Sequence, residues 1–369
     1  MLPDLYQPIY LAIVTIMTIF MVTNYVPSAI DGNEYRTSSR RLVALVLTIF
    51  LIYFIGTRPI SYFFHDMGAY NFFYMKVKWG QPFIFDWDTD NIIYDNYFNY
   101  MASNRIPVEY FFISLALIYF GAIFIACRKM FPKDTLLTLL VYLAAFSTFS
   151  FATNGMKNGC AAAVFLVAVV YRDKLWLSIP IAIITYGMHH AMVLCIAGYL
   201  VASFVRRKEL YMLVWITSFF IAAFQITYFQ EFFQGYLGEW DEWGAGYLEV
   251  FQEKAEGASG FRPDFIVYSA IPIFLGYYMS KRHNFQSREY DFIWCYYTLV
   301  NALFLLNTYG KFINRIAYLS WLIYPFVLIY PFLKINFSEN QDRYLKYAVY
   351  GHLGFTLFMQ IIYYPYIHG

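Results

Sequence analysis

Charge is what this chain has least of. Asp, Glu, Lys and Arg make up 14% of its 369 residues and 60% are apolar, whereas an ordinary soluble domain carries roughly 25% charge. That balance excludes a soluble globular fold and points to a polytopic membrane protein. The formal net charge is only +2, and no nucleic-acid partner is expected. Cysteine is sparse too: Cys127, Cys160, Cys195 and Cys295 stand singly, in or beside apolar stretches. Such spacing argues against a disulfide framework and against a metal cluster. There is no internal repeat, no low-complexity linker, no soluble domain and no nucleotide-sugar motif. The first residues lack a basic n-region and carry Asp4 instead, so residues 9–25 read as a retained first span and not as a cleaved signal.

What the chain has in abundance is apolar runs. A transmembrane helix needs roughly 20 apolar residues. Candidate spans lie near 6–25, 42–57, 108–126, 135–152, 158–171, 175–187, 190–205, 210–228, 265–280, 291–308, 316–333 and 347–365. Around Pro180, segment 175–205 reads equally as one kinked hairpin. The expected fold is all-α, a polytopic integral membrane protein of about 12 transmembrane helices, with residues 1–369 forming a single transmembrane domain. Alternate loops collect Arg36/Arg40/Arg41, Arg128/Lys129/Lys133, Arg172/Lys174, Arg206/Arg207/Lys208, Lys281/Arg282/Arg288 and Lys334/Arg343/Lys346, which is 17 of the 26 cations. The positive-inside rule makes those loops cytoplasmic and places both termini outside. Two outside loops, 58–107 and 229–264, are long and rich in Trp, Tyr and Phe. Loops of that length on a compact fold are usually functional.

The remaining cations are the informative ones, because the orientation rule does not explain them. Arg58, Lys157, Arg262, Lys311 and Arg315 gather at outer span ends and read as the floor of an anion site. Lys157, His189 and Arg315 stand at or just before helix N-termini, where a cation is unfavourable unless an anion is present and where free N–H groups suit phosphate. Interfacial snorkelling is the competing explanation for such cations. Arg58 is followed by His65-Asp66 and by Tyr70. If 61–75 is helical, Asp66 and Tyr70 share a face at i, i+4. Asp66 reads either as a general base or as an ion-pair partner holding an arginine. Glu109 opens the third span, as a base or as a helix-end carboxylate. The pair His189-His190 follows an outer bend and suits proton handling or phosphate binding. Asp86-Trp-Asp88-Thr-Asp90 begins like a calcium loop but has Asn91 at the sixth position and Tyr97 at the twelfth, so a solvated acidic turn is the better reading. Glu239-Trp240-Asp241-Glu242-Trp243 mixes carboxylates with indoles, as sugar-binding surfaces and membrane interfaces both do.

In their order and membrane side these pieces resemble the EpsG-like group of Wzy-type bacterial polysaccharide polymerases. The resemblance rests on Arg58…Asp66…Tyr70, on Glu109, on Lys157-Asn158 followed by Ala161, on His189, and on Arg315…Tyr318. The family pattern has Arg-Gln where this chain has Lys157-Asn158, so a point charge replaces a planar fork there. The resemblance implies a GT-C-like membrane glycosyltransferase of the bacterial inner membrane. Its substrate would be an undecaprenyl-diphosphate-linked oligosaccharide, polymerised at the outer leaflet. Arg58, Lys157, Arg315, Arg262, Lys311, Tyr70, Tyr318 and His190 would hold diphosphate and sugar. Asp66, Glu109 or His189 would activate the acceptor hydroxyl, with no metal or other cofactor. Membrane lipid, a chain-length regulator and a flippase are the implied partners. A lipid-linked oligosaccharide flippase or other transporter is an alternative, but transporters place key charges at the bilayer midplane, where this chain has almost none. An O-antigen ligase-like transferase is the other.

Overall fold

The computed structural model describes residues 1–25, 34–229, 261–283, 285, 287–309, 313–335 and 337–365. Every regular element among them is helical, as the apolar pattern predicts. In chain order the α-helices are α1 (Tyr6–Thr23), α2 (Glu34–Gly56), α3 (Asp66–Lys78), α4 (Ile92–Ser103), α5 (Val108–Met130), α6 (Thr135–Leu143), α7 (Thr148–Thr153), α8 (Met156–Val170), α9 (Leu175–Met188), α10 (Met192–Phe204), α11 (Lys208–Ala223), α12 (Pro263–Arg282), α13 (Arg288–Leu306), α14 (Ile313–Trp321), α15 (Tyr324–Lys334) and α16 (Gln341–Leu357). A turn of π-helix, Phe358–Tyr363, extends α16.

Among the described residues four helical stretches are long and apolar enough to cross a membrane: Pro3–Thr23, Thr37–Gly56, Val108–Met130 and Asn314–Lys334. The other expected spans all contain helix: α12 and α13 run unbroken for 20 and 19 residues, and the rest are in shorter or broken pieces. Segment 175–205 resolves into α9, with Pro180 inside it, and α10. The span expected at 316–333 is split at Leu322-Ile323 into α14 and α15. The outside loop 58–107 is no loop for most of its length, since α3 and α4 occupy it. Loop 229–264 falls mostly outside the described residues, and with it the Glu239–Trp243 motif.

Helix ends follow local chemistry. Helix α5 starts after Pro107, has Glu109 in its first turn and Arg128 and Lys129 in its last, so its charges complement its dipole at both ends. Helix α13 starts at Ser287, whose hydroxyl accepts from Tyr290 N, with Glu289 and Asp291 in the first turn, an N-terminus of standard chemistry.

The chain packs as two compact units, Met1–His189 with Phe332–Gly369, and His190–Pro331. The first is built around α5, α6 and α8, against which α1, α2, α9 and α16 pack. Its most unusual element is the expected span 135–152, which is interrupted at residues 144–147. The Thr148 hydroxyl donates to Tyr142 O (2.7 Å) and so offers the backbone a partner outside the helical ladder. The interruption strips several carbonyls of helical donors, and side chains replace them. Tyr10 of α1 donates to Leu143 O (2.8 Å). From one face of α16 and its extension, His352 Nε2 reaches Val141 O (3.0 Å), Thr356 Oγ1 reaches Ala144 O (2.6 Å) and Gln360 Nε2 reaches Phe146 O (3.2 Å). A buried carbonyl left without a donor costs about 1–3 kcal/mol, so this row of polar residues is what makes the break stable. Thr356→Val is isosteric but removes the donor to Ala144 O. It is expected to lower stability by about 1 kcal/mol, read as a drop in Tm in detergent, whereas Thr356→Ser keeps the wild-type value.

The second unit is organised around α13, whose Tyr290, Trp294, Cys295, Tyr296, Tyr297 and Asn301 are all fully buried. Polar groups inside it are cross-linked. Trp215 Nε1 donates to Asn301 Oδ1 (2.8 Å), Asn301 Nδ2 to Ser320 Oγ (3.1 Å), and Trp321 Nε1 to Ser269 Oγ (2.8 Å). Pro331 sits inside α15 and, lacking an N–H, leaves Val327 O without its helical donor. The Tyr290 hydroxyl supplies one at 3.2 Å.

Candidate functional site

The cationic site of the first unit forms where α7 ends and α8 begins. Asn154-Gly155 breaks the chain there, with Gly155 in the left-handed region at φ 62°, a conformation that favours glycine. A Cβ on Gly159 would collide with the Phe151 carbonyl, so a second glycine lets α8 fold back closely on α7. The N-terminal turn of α8, Met156-Lys157-Asn158, is thereby presented to the segment that follows α2.

Two side chains from that segment close on it. Arg58 is buried at 3% exposure. It donates to Ile55 O (2.7 Å), to Thr153 O (3.1 Å) and to Met156 Sδ (3.0 Å). Its guanidinium lies 5.2 Å from the ring centroid of Phe64 and 5.6 Å from that of Phe112. Its Nε is buried without a hydrogen-bond partner, and no carboxylate pairs with it among the described residues. Burial lowers its pKa to about 9, which leaves it a cation at neutral pH. Asp66, the first residue of α3, accepts a hydrogen bond from Gly155 N at 2.8 Å. Asn154 Oδ1 accepts from Gly155 N (3.0 Å) and from Asp66 N (3.4 Å). A carboxylate therefore already stands at the positive end of the α8 dipole, where it is favourable.

Lys157 is buried at 8% exposure, with its ammonium 5.6 Å from the centroid of the Tyr94 ring. Tyr94 comes from α4, and burial pushes its phenol well above the ordinary tyrosine value, so it presents a neutral ring to the cation. Tyr70 packs 6.0 Å from Tyr94, on the same α3 face as Asp66, as the i, i+4 spacing anticipates. The structure thus brings Arg58, Asp66, Tyr70 and Lys157 to one helix junction. It also buries both cations, where the sequence reading had set them at a surface.

The other sequence-derived residues are placed differently. Glu109 is exposed in the first turn of α5, where a carboxylate suits the dipole. His189 is the half-buried C-terminal cap of α9, its N–H donating to Thr185 O (3.0 Å). In the second unit His190 opens the turn before α10, its carbonyl accepting from Val193 N. Arg262 is bound through two nitrogens to Asp264 (2.9 and 2.5 Å) and stacks 4.1 Å from the Phe265 centroid, so its charge is matched inside the chain. Arg315 lies half-buried in the first turn of α14, its N–H bonded to Asn314 Oδ1 (3.0 Å), and Tyr318 is buried one turn later. Lys311 lies outside the described residues. The acidic turn 86–90 folds on itself: Asp88 N bonds Asp86 Oδ1 (3.0 Å) and Asp86 N bonds Asn96 Oδ1 (2.8 Å).

Sequence reading missed Tyr94, Asn154 and Gly155. Tyr94 was one tyrosine among 37, with nothing to mark it. Asn154-Gly155 carried a usable signal, because that dipeptide favours a turn and here it interrupts an apolar run.

A family model described as the EpsG family matches residues 41–368, nearly the whole chain. The chain belongs to the EpsG family. Membership makes it a polysaccharide-polymerase-like membrane protein. The EpsG match takes in every candidate residue from Arg58 to Tyr318. Comparison with curated proteins and with solved structures gives no match.

Proposed function

We propose that this EpsG-family protein is a glycosyltransferase that joins lipid-linked oligosaccharide repeat units into polymer, working at the outer leaflet of the bacterial inner membrane. The carrier lipid is undecaprenyl diphosphate. One observation carries this reading: a buried arginine, paired with no carboxylate among the described residues, is held on the N-terminal turn of a helix that also bears a buried lysine. Desolvating a guanidinium costs several kcal/mol unless a partner restores it. A bound diphosphate is such a partner, and the α8 N-terminus adds N–H donors and a favourable dipole.

In the reaction the acceptor hydroxyl oxygen attacks the anomeric carbon of the donor. The bond from that carbon to the diphosphate oxygen breaks, and the electron pair leaves with the diphosphate. Arg58 and Lys157 stabilise the growing charge on that leaving group, so fixed cations supply the electrostatic catalysis and no metal is called for. Asp66, oriented by Gly155 N–H, takes the acceptor proton. Glu109 and His189 remain further candidates for the base. Arg315 and Tyr318 remain candidate substrate contacts of the second unit. A flippase that delivers repeat units and a regulator of chain length are the expected partners.

The test is reconstitution of the purified protein in vesicles with its lipid-linked repeat unit, followed by sizing of the product. A ladder accompanied by released lipid diphosphate is expected, with Lys157→Gln reducing its rate by about 10²-fold or more. Movement of the unit across the vesicle with no ladder would make the protein a flippase and overturn the proposal.

A further inference from the structure

Helix α4 has two faces. Tyr94, Phe98, Met101 and Ala102 are buried, and Tyr94 carries Lys157. Ile93, Tyr97 and Tyr100, which recur at helical spacing on another face, join Phe83, Phe85 and Trp87 around an open hollow of about 450 Å³. That volume is within the range of ligand pockets. The aromatic walls are braced against one another: Phe83 meets Tyr100 edge-on at 5.5 Å, and Phe85 lies 4.6 Å from Trp87.

Aromatic walls by themselves suit sugars as well as hydrocarbons. The polar groups decide between them. The hollow's amide, on Asn96, is spent on the chain itself: Nδ2 donates to Asp86 O (2.7 Å) and Ile92 O (2.8 Å), and Oδ1 accepts from Asp86 N (2.8 Å). The Tyr97 hydroxyl donates to Ser114 Oγ (2.7 Å). A sugar brought here would lose water from several hydroxyls and find almost no replacement, which is costly, whereas a hydrocarbon loses nothing.

We propose that this hollow binds the isoprenoid chain of the lipid-linked substrate, with Phe83, Phe85, Trp87, Tyr97 and Tyr100 as its walls. The choice of occupant rests on the reading of the α8 junction as the diphosphate site. A helix is only about 10–12 Å across, so α4 places an apolar groove one helix width from the buried lysine. A polyprenyl diphosphate has both a hydrocarbon chain and a charged end, and it is the occupant that the reading of the α8 junction selects.

The test uses binding and not turnover. The full-length protein, in lipid nanodiscs, is exposed to a polyprenyl diphosphate bearing a diazirine in its chain, irradiated, and the labelled peptides are mapped. Labelling within 83–100 is expected, competed by unlabelled polyprenyl diphosphate but not by free oligosaccharide or added phospholipid. The double variant Phe85→Asp/Trp87→Asp, which alters two exposed side chains, should reduce it by at least about tenfold. Competition by phospholipid would make the hollow a general lipid contact, and competition by oligosaccharide would make it a sugar subsite; either overturns the proposal, as does labelling elsewhere. Failure of the two readings is distinguishable: labelling at 83–100 without a product ladder would sink the polymerase reading alone, and a ladder without this labelling would sink the chain site alone.

Discussion

Arg58→Met is expected to abolish polymer formation while leaving the protein at least as stable as the wild type. Two opposing terms set the stability side. Removing the guanidinium leaves Thr153 O without its donor, at about 1–3 kcal/mol. It also removes a buried cation that no carboxylate among the described residues balances, and replacing buried charge with an apolar residue of similar volume is often neutral or stabilising by about 1–4 kcal/mol. Methionine fits between Phe64 and Phe112, the rings that now flank the guanidinium. The charge term therefore wins or the two cancel. For activity nothing compensates, and losing one fixed electrostatic group costs about 10²–10³ in rate. Arg58→Lys keeps the charge but lacks the fork that spans Ile55 O and Thr153 O, so an intermediate rate is expected. The measurements are Tm in detergent and the rate of ladder formation in vesicles. Normal chain lengths from Arg58→Met would rule out the diphosphate role, and a sharp loss of Tm would make Arg58 a structural clamp.

Asp66→Asn is expected to lower the rate of polymerisation by about 10²–10⁴, the usual worth of a general base, with little change in stability. Asparagine retains an oxygen for the Gly155 N–H, so the α8 terminus stays capped, but it cannot accept the proton of an acceptor hydroxyl. Asp66→Ala removes both functions and should in addition cost about 0.5–2 kcal/mol of stability, the usual value of a lost N-terminal acceptor. Comparing initial rates and Tm for the two variants separates the roles. If Asp66→Asn polymerises at the wild-type rate, Asp66 is a cap alone and the base must be sought elsewhere.

Several features were legible without coordinates because they depend on local pattern. The i, i+4 relation of Asp66 and Tyr70, the helix start at Val108, and the place of Lys157 and Arg315 in first helical turns all follow from periodicity and end chemistry; His189, expected at an N-terminus, caps the C-terminus of α9 instead. The interruption at 144–147 was not legible. Segment 135–152 is mostly apolar, its polar residues being Thr and Ser, and it contains no proline, so nothing local forbids a continuous helix. It breaks because Tyr10, His352, Thr356 and Gln360 arrive from distant parts of the chain to take the orphaned carbonyls. The lost donor inside α15 is similar in kind: Pro331 announces it, but only packing supplies the Tyr290 hydroxyl that replaces it.

By itself the sequence determined that this protein is helical and apolar, which ends of its helices carry cations, and, through residues 41–368, its EpsG family. Composition and charge placement act residue by residue, so they can be read from a linear string. The tertiary structure decided which cations are buried at one helix junction. Arg58 and Lys157 are 99 positions apart and meet at one helix turn, while Arg262 is matched by Asp264 and loses its claim as a free charge. Tertiary packing also decided how little free polar capacity the hollow of segment 83–100 offers, on which its proposed role as a hydrocarbon site rests. That outcome depends on where Asn96 and Tyr97 spend their hydrogen bonds, and a hydrogen-bond partner is chosen by proximity in space, which no local pattern encodes.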